Sequence, residues 1–253
     1  MSWVHPQAVV ESGAELAEGV RVGPFCYVEA GAKLGPRCEL VSHVVVRRGV
    51  SLGPDNQLYP FAVLGGPPQD RSYAGEACSV VVGAGNVFRE STTVHAGTAK
   101  GDAVTRVGDG GLFMVGAHVA HDCQVGDRVI LTNYVSLGGH VVVEEGAVLG
   151  GHVAVAPFCR VGSLSFTAGG SMIERDVPPF VTAAGDRARV RGVNRVGLRR
   201  AAVPEPSVRA LIRAERQLFH GAEPLQVAAK RLAQETSDPY VARLVESVIR
   251  AAR

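Results

Sequence analysis

The chain is predicted to be a β-solenoid with an α-helical tail. Three observations carry this. Aliphatic residues recur every sixth position, glycine often follows them, and the period stops before a helical pattern begins. The first ladder runs Val10, Leu16, Val22, Val28, Leu34, Leu40, Val46, Leu52, Leu58, Leu64. The second runs Val107, Phe113, Val119, Val125, Leu131, Leu137, Val143, Leu149, Val155, Val161. A period of six is neither the 3.6 of a helix nor the 2 of an ordinary strand. It is the signature of hexapeptide repeats, in which short strands wind into coils that bury a shared core.

Three hexads close one triangular coil, so the spatial period is about 18 residues. Val82, Phe88 and Val94 form a short piece between the two ladders. A strand spacing of about 4.8 Å and eight or nine coils give a prism roughly 40 Å tall. Glycines after the rungs, such as Gly23, Gly53, Gly126, Gly138 and Gly150, are expected where the chain turns each corner.

The β-helix is assigned to residues 1–180, with loops at 65–81 and 95–106, where the period breaks. Solenoids carry such insertions on one face, often the binding face. Residues 181–203 read as a basic linker, with six arginines in fourteen positions: Arg187, Arg189, Arg191, Arg195, Arg199 and Arg200. Residues 204–253 read as a helical domain. Val208, Leu211, Ile212, Leu218 and Phe219 fit one helix face that closes near Gly221. A second helix is expected over 224–235. A third opens at Asp238-Pro239, an N-cap followed by proline at the first helical position.

Composition excludes several function classes. A net charge of +2 with 20% charged residues gives no reason to expect nucleic acid. No stretch approaches the about 18 apolar residues of a membrane span, so no stable membrane insertion is expected. The start, MSWVHPQAVVESG, lacks the basic and apolar regions of a signal peptide. Five cysteines without a CxxC read as reduced thiols in a cytoplasmic protein.

The segment MVGAHVAHDCQVG, residues 114–126, concentrates the chemistry. His121 lies two residues past a rung and should point outward. A histidine beside a carboxylate suits proton transfer, because the carboxylate fixes the tautomer and stabilises the imidazolium. Neighbours on a strand face opposite ways, so Asp122 serves His121 only if a bend intervenes. Eighteen residues on, Gly139 stacks over His121 and His140 over Asp122; Pro157 extends the first column. A backbone N–H at Gly139 is placed to stabilise an oxyanion. No serine or cysteine nucleophile stands beside the pair at comparable geometry, so direct general-base catalysis is the economical route. Two other readings stand beside it. His118, His121 and His140, or His95, offer zinc ligands across a subunit boundary, as in gamma-class carbonic anhydrases. A non-catalytic scaffold is the third.

With VHPQAVVESGA, QDRSYAGE, FRESTTVHAGT, AHVAHDCQVG, DVPPF and GVNRVGLRR in view, the chain closely resembles the acyl-[acyl-carrier-protein]–UDP-N-acetylglucosamine O-acyltransferases. The resemblance implies a left-handed parallel β-helix, a homotrimer with sites between subunits, and the first step of lipid A synthesis. It implies transfer of an (R)-3-hydroxyacyl group from acyl carrier protein to UDP-N-acetylglucosamine or a close analogue, without a cofactor. His121 would be the base, Asp122 its partner and Gly139 the oxyanion donor. Gln69, Asp70, His95, His118, His140, Asn194 and Arg200 would contact substrate, and Gly169 would measure acyl length. Guanidinium forks suit diphosphate and acidic carrier surfaces. The chain departs from the family at Ser72, where lysine is common and Arg71 offers a substitute cation. It departs also at Ala96 and at Ala156-Pro157. These departures raise a 3-amino sugar, and hence N-acylation by a paralogue, as an alternative.

Overall fold

The computed structural model describes residues 1–251. Three parallel sheets form the faces of a left-handed prism. Sheet A begins with Trp3–Val4, sheet B with Val9–Val10 and sheet C with Glu15–Leu16, and successive strands step from face to face. Sheet B is nine strands deep. The usual register is 18 residues, as in His118 with Ser136. Where the period breaks, Val63 pairs with Thr93, thirty positions on, and Thr93 with His118, twenty-five on. The extra residues leave the wall as loops.

The rungs are inside. Every member of the second ladder is buried, as is the first from Val22 upward. Val10 and Leu16 are half-buried, because the first coil has no neighbour below. Each aliphatic side chain so enclosed contributes about 1.5–3 kcal/mol of transfer free energy. All five cysteines are free, four of them buried.

Three expectations are corrected. First, the rung glycines give axial clearance rather than the turn itself. A Cβ on Gly138 would stand 2.8 Å from Pro157 N, and one on Gly126 2.8 Å from Glu145 N, in the coil above. The left-handed turn residue falls two positions later and is often not glycine: Asp122 (φ 61°), His140 (φ 61°), Phe158 (φ 67°). Second, the insertions are narrower than 65–81 and 95–106. Strands Val63–Gly66, Ser79–Val82 and Val104–Val107 take up their ends, since Ser79–Val82 and Val104–Val107 pair along their length.

Third, residues 181–203 are not a linker. Val181–Ala184 extends sheet A beside Phe166–Thr167, and Arg189–Val193 returns antiparallel to it. Inward Val181 and Ala183 are buried against the last coil, which anchors the hairpin despite its arginines. Helix α1 (Arg195–Arg200) follows. Helices α2 (Glu205–His220), α3 (Leu225–Glu235) and α4 (Pro239–Arg250) pack as a small bundle. Gly221 closes α2, and the Asp238 carboxylate accepts the Tyr240 and Val241 N–H groups to open α4. Glu144, just past strand Val142–Val143 of sheet C, accepts from Arg160 at 3.0 Å and from Arg243 of α4 at 3.3 Å, tying the bundle to the wall. The last two residues of the segment expected to be helical, 252–253, lie outside the described residues.

Candidate active site

Strand His118–Val119 lies on sheet B, and the chain then turns a corner towards Gln124–Val125 on sheet C. The required bend is at Asp122, whose left-handed backbone brings its carboxylate back beside its neighbour. Its N–H donates to Thr105 Oγ1 at 2.9 Å, which holds that conformation. His121 Nδ1 then sits 2.8 Å from Asp122 Oδ2. Burial alone would push the Asp122 carboxyl up. Hydrogen bonds from the Thr98 N–H, the His121 ring and the Thr98 hydroxyl outweigh it and hold the group below the usual carboxylate range. An ionised Asp122 makes Nδ1 the protonated nitrogen and leaves the Nε2 lone pair for another partner.

Gly139 lies directly over this ring. A Cβ there would be 2.5 Å from His121 Cε1 and 2.7 Å from Nε2. The Gly139 N–H donates to no group among the described residues, so it is a spare donor beside Nε2. His140 stacks over Asp122, with Nε2 3.6 Å from Oδ2 and its ring edge-on to His121. Phe158 stacks on His140 at 4.6 Å while remaining 74% exposed.

His95 and His118 form a second, edge-on pair with ring centroids 5.1 Å apart. His118 Nδ1 meets Thr93 Oγ1 at 2.8 Å. Burial, then the charges His95 and His121 would carry, pushes the His118 pKa down to about 4, and burial likewise lowers that of His95. This has a consequence for stability. An unfolded histidine titrates near 6.5, so between that value and about 4 the unfolded chain takes up a proton the folded chain refuses. The contribution is intact above pH 6.5 and is lost as pH falls towards 4. The drop in melting temperature from pH 6.5 to 4.5 should therefore be smaller in His118→Asn than in the parent; equal drops would contradict it.

Asp70 is held by the Ser72 N–H and hydroxyl, then by Lys100, which bring its pKa to about 2. The cation beside it is Lys100, at 3.1 Å from the second insertion, rather than Arg71, which forms no ion pair among the described residues. Gln69 is exposed on the same loop. Gly169, Asn194 and Arg200 make no hydrogen bond to the dyad among the described residues. Asn194 is buried and its amide is committed to the fold: Oδ1 caps α1 through the Gly197 N–H at 3.0 Å, and Nδ2 donates to Leu164 O at 2.8 Å. Arg200 is exposed in the last turn of α1. Gly169 is exposed at a corner.

For a metal, His121, Asp122 and His140 bring one ligand atom each within 4.8 Å of one another. His118 and His95, expected among the zinc ligands, stand outside this group. The residue that sequence reasoning missed is Thr98. It sits in the FRESTTVHAGT run, but off the ladder, where periodicity gives no neighbour for it.

A relative from Halorhodospira halophila, an acyl-[acyl-carrier-protein]–UDP-N-acetylglucosamine O-acyltransferase, is 50% identical over 237 residues, 94% of this chain and 92% of its own. One of the same name from Janthinobacterium is 41% identical over 98% and 95%. The crystal structure of UDP-N-acetylglucosamine O-acyltransferase from Moraxella catarrhalis superposes with a TM-score of 0.94 at 34% identity, covering 99% of this chain and 98% of that one. The family model for UDP-N-acetylglucosamine O-acyltransferase, domain 2, matches residues 176–253. Fold and matches together define an acyltransferase built on a left-handed hexapeptide-repeat β-helix. The chain belongs to the acyl-[acyl-carrier-protein]–UDP-N-acetylglucosamine O-acyltransferase family. That membership displaces the carbonic anhydrase-like and scaffold readings.

Proposed function

We propose that the protein transfers an (R)-3-hydroxyacyl chain from acyl carrier protein to the 3-hydroxyl of UDP-N-acetylglucosamine, the first step of lipid A biosynthesis. The observation that carries the mechanism is the 2.8 Å contact between His121 Nδ1 and an ionised Asp122. His121 Nε2 takes the proton of the sugar hydroxyl as its oxygen attacks the thioester carbonyl. The Gly139 N–H donates to the oxyanion that forms. Collapse makes the ester and expels the carrier's thiolate, which takes the proton back from the imidazolium. Neutral His118 and His95, with Gln69 and the fixed charge of Asp70, would line the sugar side. His140, kept in place by Phe158, flanks the dyad.

The working unit is a homotrimer with sites between subunits, where Asn194 and Arg200 would meet substrate from a neighbour. An apolar outward column on sheet A, Val87, Leu112, Ile130, Val148 and Phe166, supports such a contact. A Cβ at Gly169 would meet only Gly151, so its absence leaves room for a longer acyl chain. No helix among the described residues is long and apolar enough to cross a membrane. The reaction is placed in the cytoplasm, where acyl carrier protein is available.

The deciding assay offers UDP-N-acetylglucosamine and its 3-amino analogue, each with hydroxyacyl carrier proteins of several lengths. Preference for the hydroxyl sugar and a long chain is expected. Preference for the amine would make the enzyme an N-acyltransferase and overturn the assignment.

A further inference from the structure

The second insertion, between strands Thr93–His95 and Val104–Val107, closes on the Asp122 carboxylate from outside the ladder. Thr98 is 1% exposed and spends both its donors there. Its N–H reaches Oδ1 at 2.9 Å, and its hydroxyl reaches Oδ2 at 2.7 Å. Oδ2 is the oxygen that also takes His121 Nδ1. Gly101 presses on the far side, where a Cβ would come 2.5 Å from Oδ1.

We propose that Thr98 is a positioning residue that sets the basicity of the His121–Asp122 dyad by sharing the carboxylate oxygen that His121 uses. The inference rests on His121 being the base. A carboxylate oxygen that accepts two donors spreads its charge over both and draws less strongly on either. Without the Thr98 hydroxyl, Oδ2 would lean wholly on His121. The imidazolium would then be over-stabilised, and the neutral base would form only at higher pH. The N–H on Oδ1 keeps the carboxylate in place in either case, so the hydroxyl tunes while the backbone holds. The other groups facing the pair are His140 from the coil above, His118 and His95 from the coils at and below it, and the Cys123 thiol. Burial pushes that thiol up to about 12, so it stays neutral.

The test is the pH dependence of kcat/KM for UDP-N-acetylglucosamine with a hydroxyacyl carrier protein. It compares the parent with Thr98→Val, Thr98→Ala, Thr98→Ser and His121→Ala. In the valine and alanine variants the acid limb should move up by roughly half a pH unit, while the plateau stays within about 3-fold of the parent because the Thr98 N–H still holds the carboxylate. Thr98→Ser should restore the parental limb. Two hydroxyl-free variants are read in parallel, so that a folding defect in one leaves the other informative. An unmoved acid limb in the folded variants overturns the proposal, whether or not the plateau falls, because a purely structural role lowers the plateau alone. Near-parental turnover in His121→Ala would instead remove the base on which the proposal rests.

Discussion

Replacing His121 by alanine is expected to lower acyl transfer by about 1,000-fold, within the range that general-base groups contribute. Folding should survive. The imidazole lies at a corner, half-buried, outside the ladder of inward aliphatics, and its removal leaves Asp122 still bound by Thr98 and Thr105. The loss should appear in kcat, since a proton acceptor acts in the transition state rather than in ground-state binding. Steady-state turnover alongside the sedimentation profile checks both halves. An intact assembly with near-parental kcat would sink the mechanism.

The second large effect is expected from one added methyl group. In Gly139→Ala the new Cβ would stand 2.5 Å from His121 Cε1 and 2.7 Å from Nε2, so the ring must swing away. The 2.8 Å bond to Asp122 is then lost, and Nε2 is displaced from the Gly139 backbone. A fall of about 100-fold in kcat is expected, in line with losing one oriented catalytic group. Gly139 is outside the left-handed region, so alanine meets no backbone penalty there. The melting temperature should therefore move little while activity collapses. Unchanged kcat would mean that the ring position beneath Gly139 does not matter to the reaction.

The columns of this site are legible in the sequence because the ladder converts sequence distance into height. Gly139 over His121 and His140 over Asp122 follow from eighteen residues making one coil. What lay off the ladder was hidden. Thr98 reaches Asp122 from an insertion with no period, and Lys100 finds Asp70 across two irregular loops thirty residues apart. The bend at Asp122 is needed to bring the two side chains together, and aspartate tolerates a left-handed backbone better than most residues, yet bulky Phe25, Tyr134 and Phe158 take the same conformation, so residue type alone does not locate the corner. The hairpin at 181–193 was masked by its arginines, which point outward while Val181 and Ala183 alternate inward over too few positions to register. Asn194 was named as a substrate contact through the family resemblance alone. Its buried amide serves the start of α1, a helix of six residues with too short an apolar pattern to be seen.

The stack of coils also makes chain length count in quanta. Six residues added in the wall between Asp122 and His140 would carry His140 one corner around the prism. Eighteen would return it to its own corner but one storey too high, about 4.8 Å further from the carboxylate it now faces. Either edit would dismantle the site while leaving every rung filled and the barrel well formed. Only additions that leave the wall and rejoin it, as the two insertions do, are invisible to the residues above. In this molecule a gap in the hexad count is a change of address for everything that follows, so only length changes in the loops at 67–78 and 96–103 keep the rungs in register, and those in 96–103 must still leave Thr98 on Asp122.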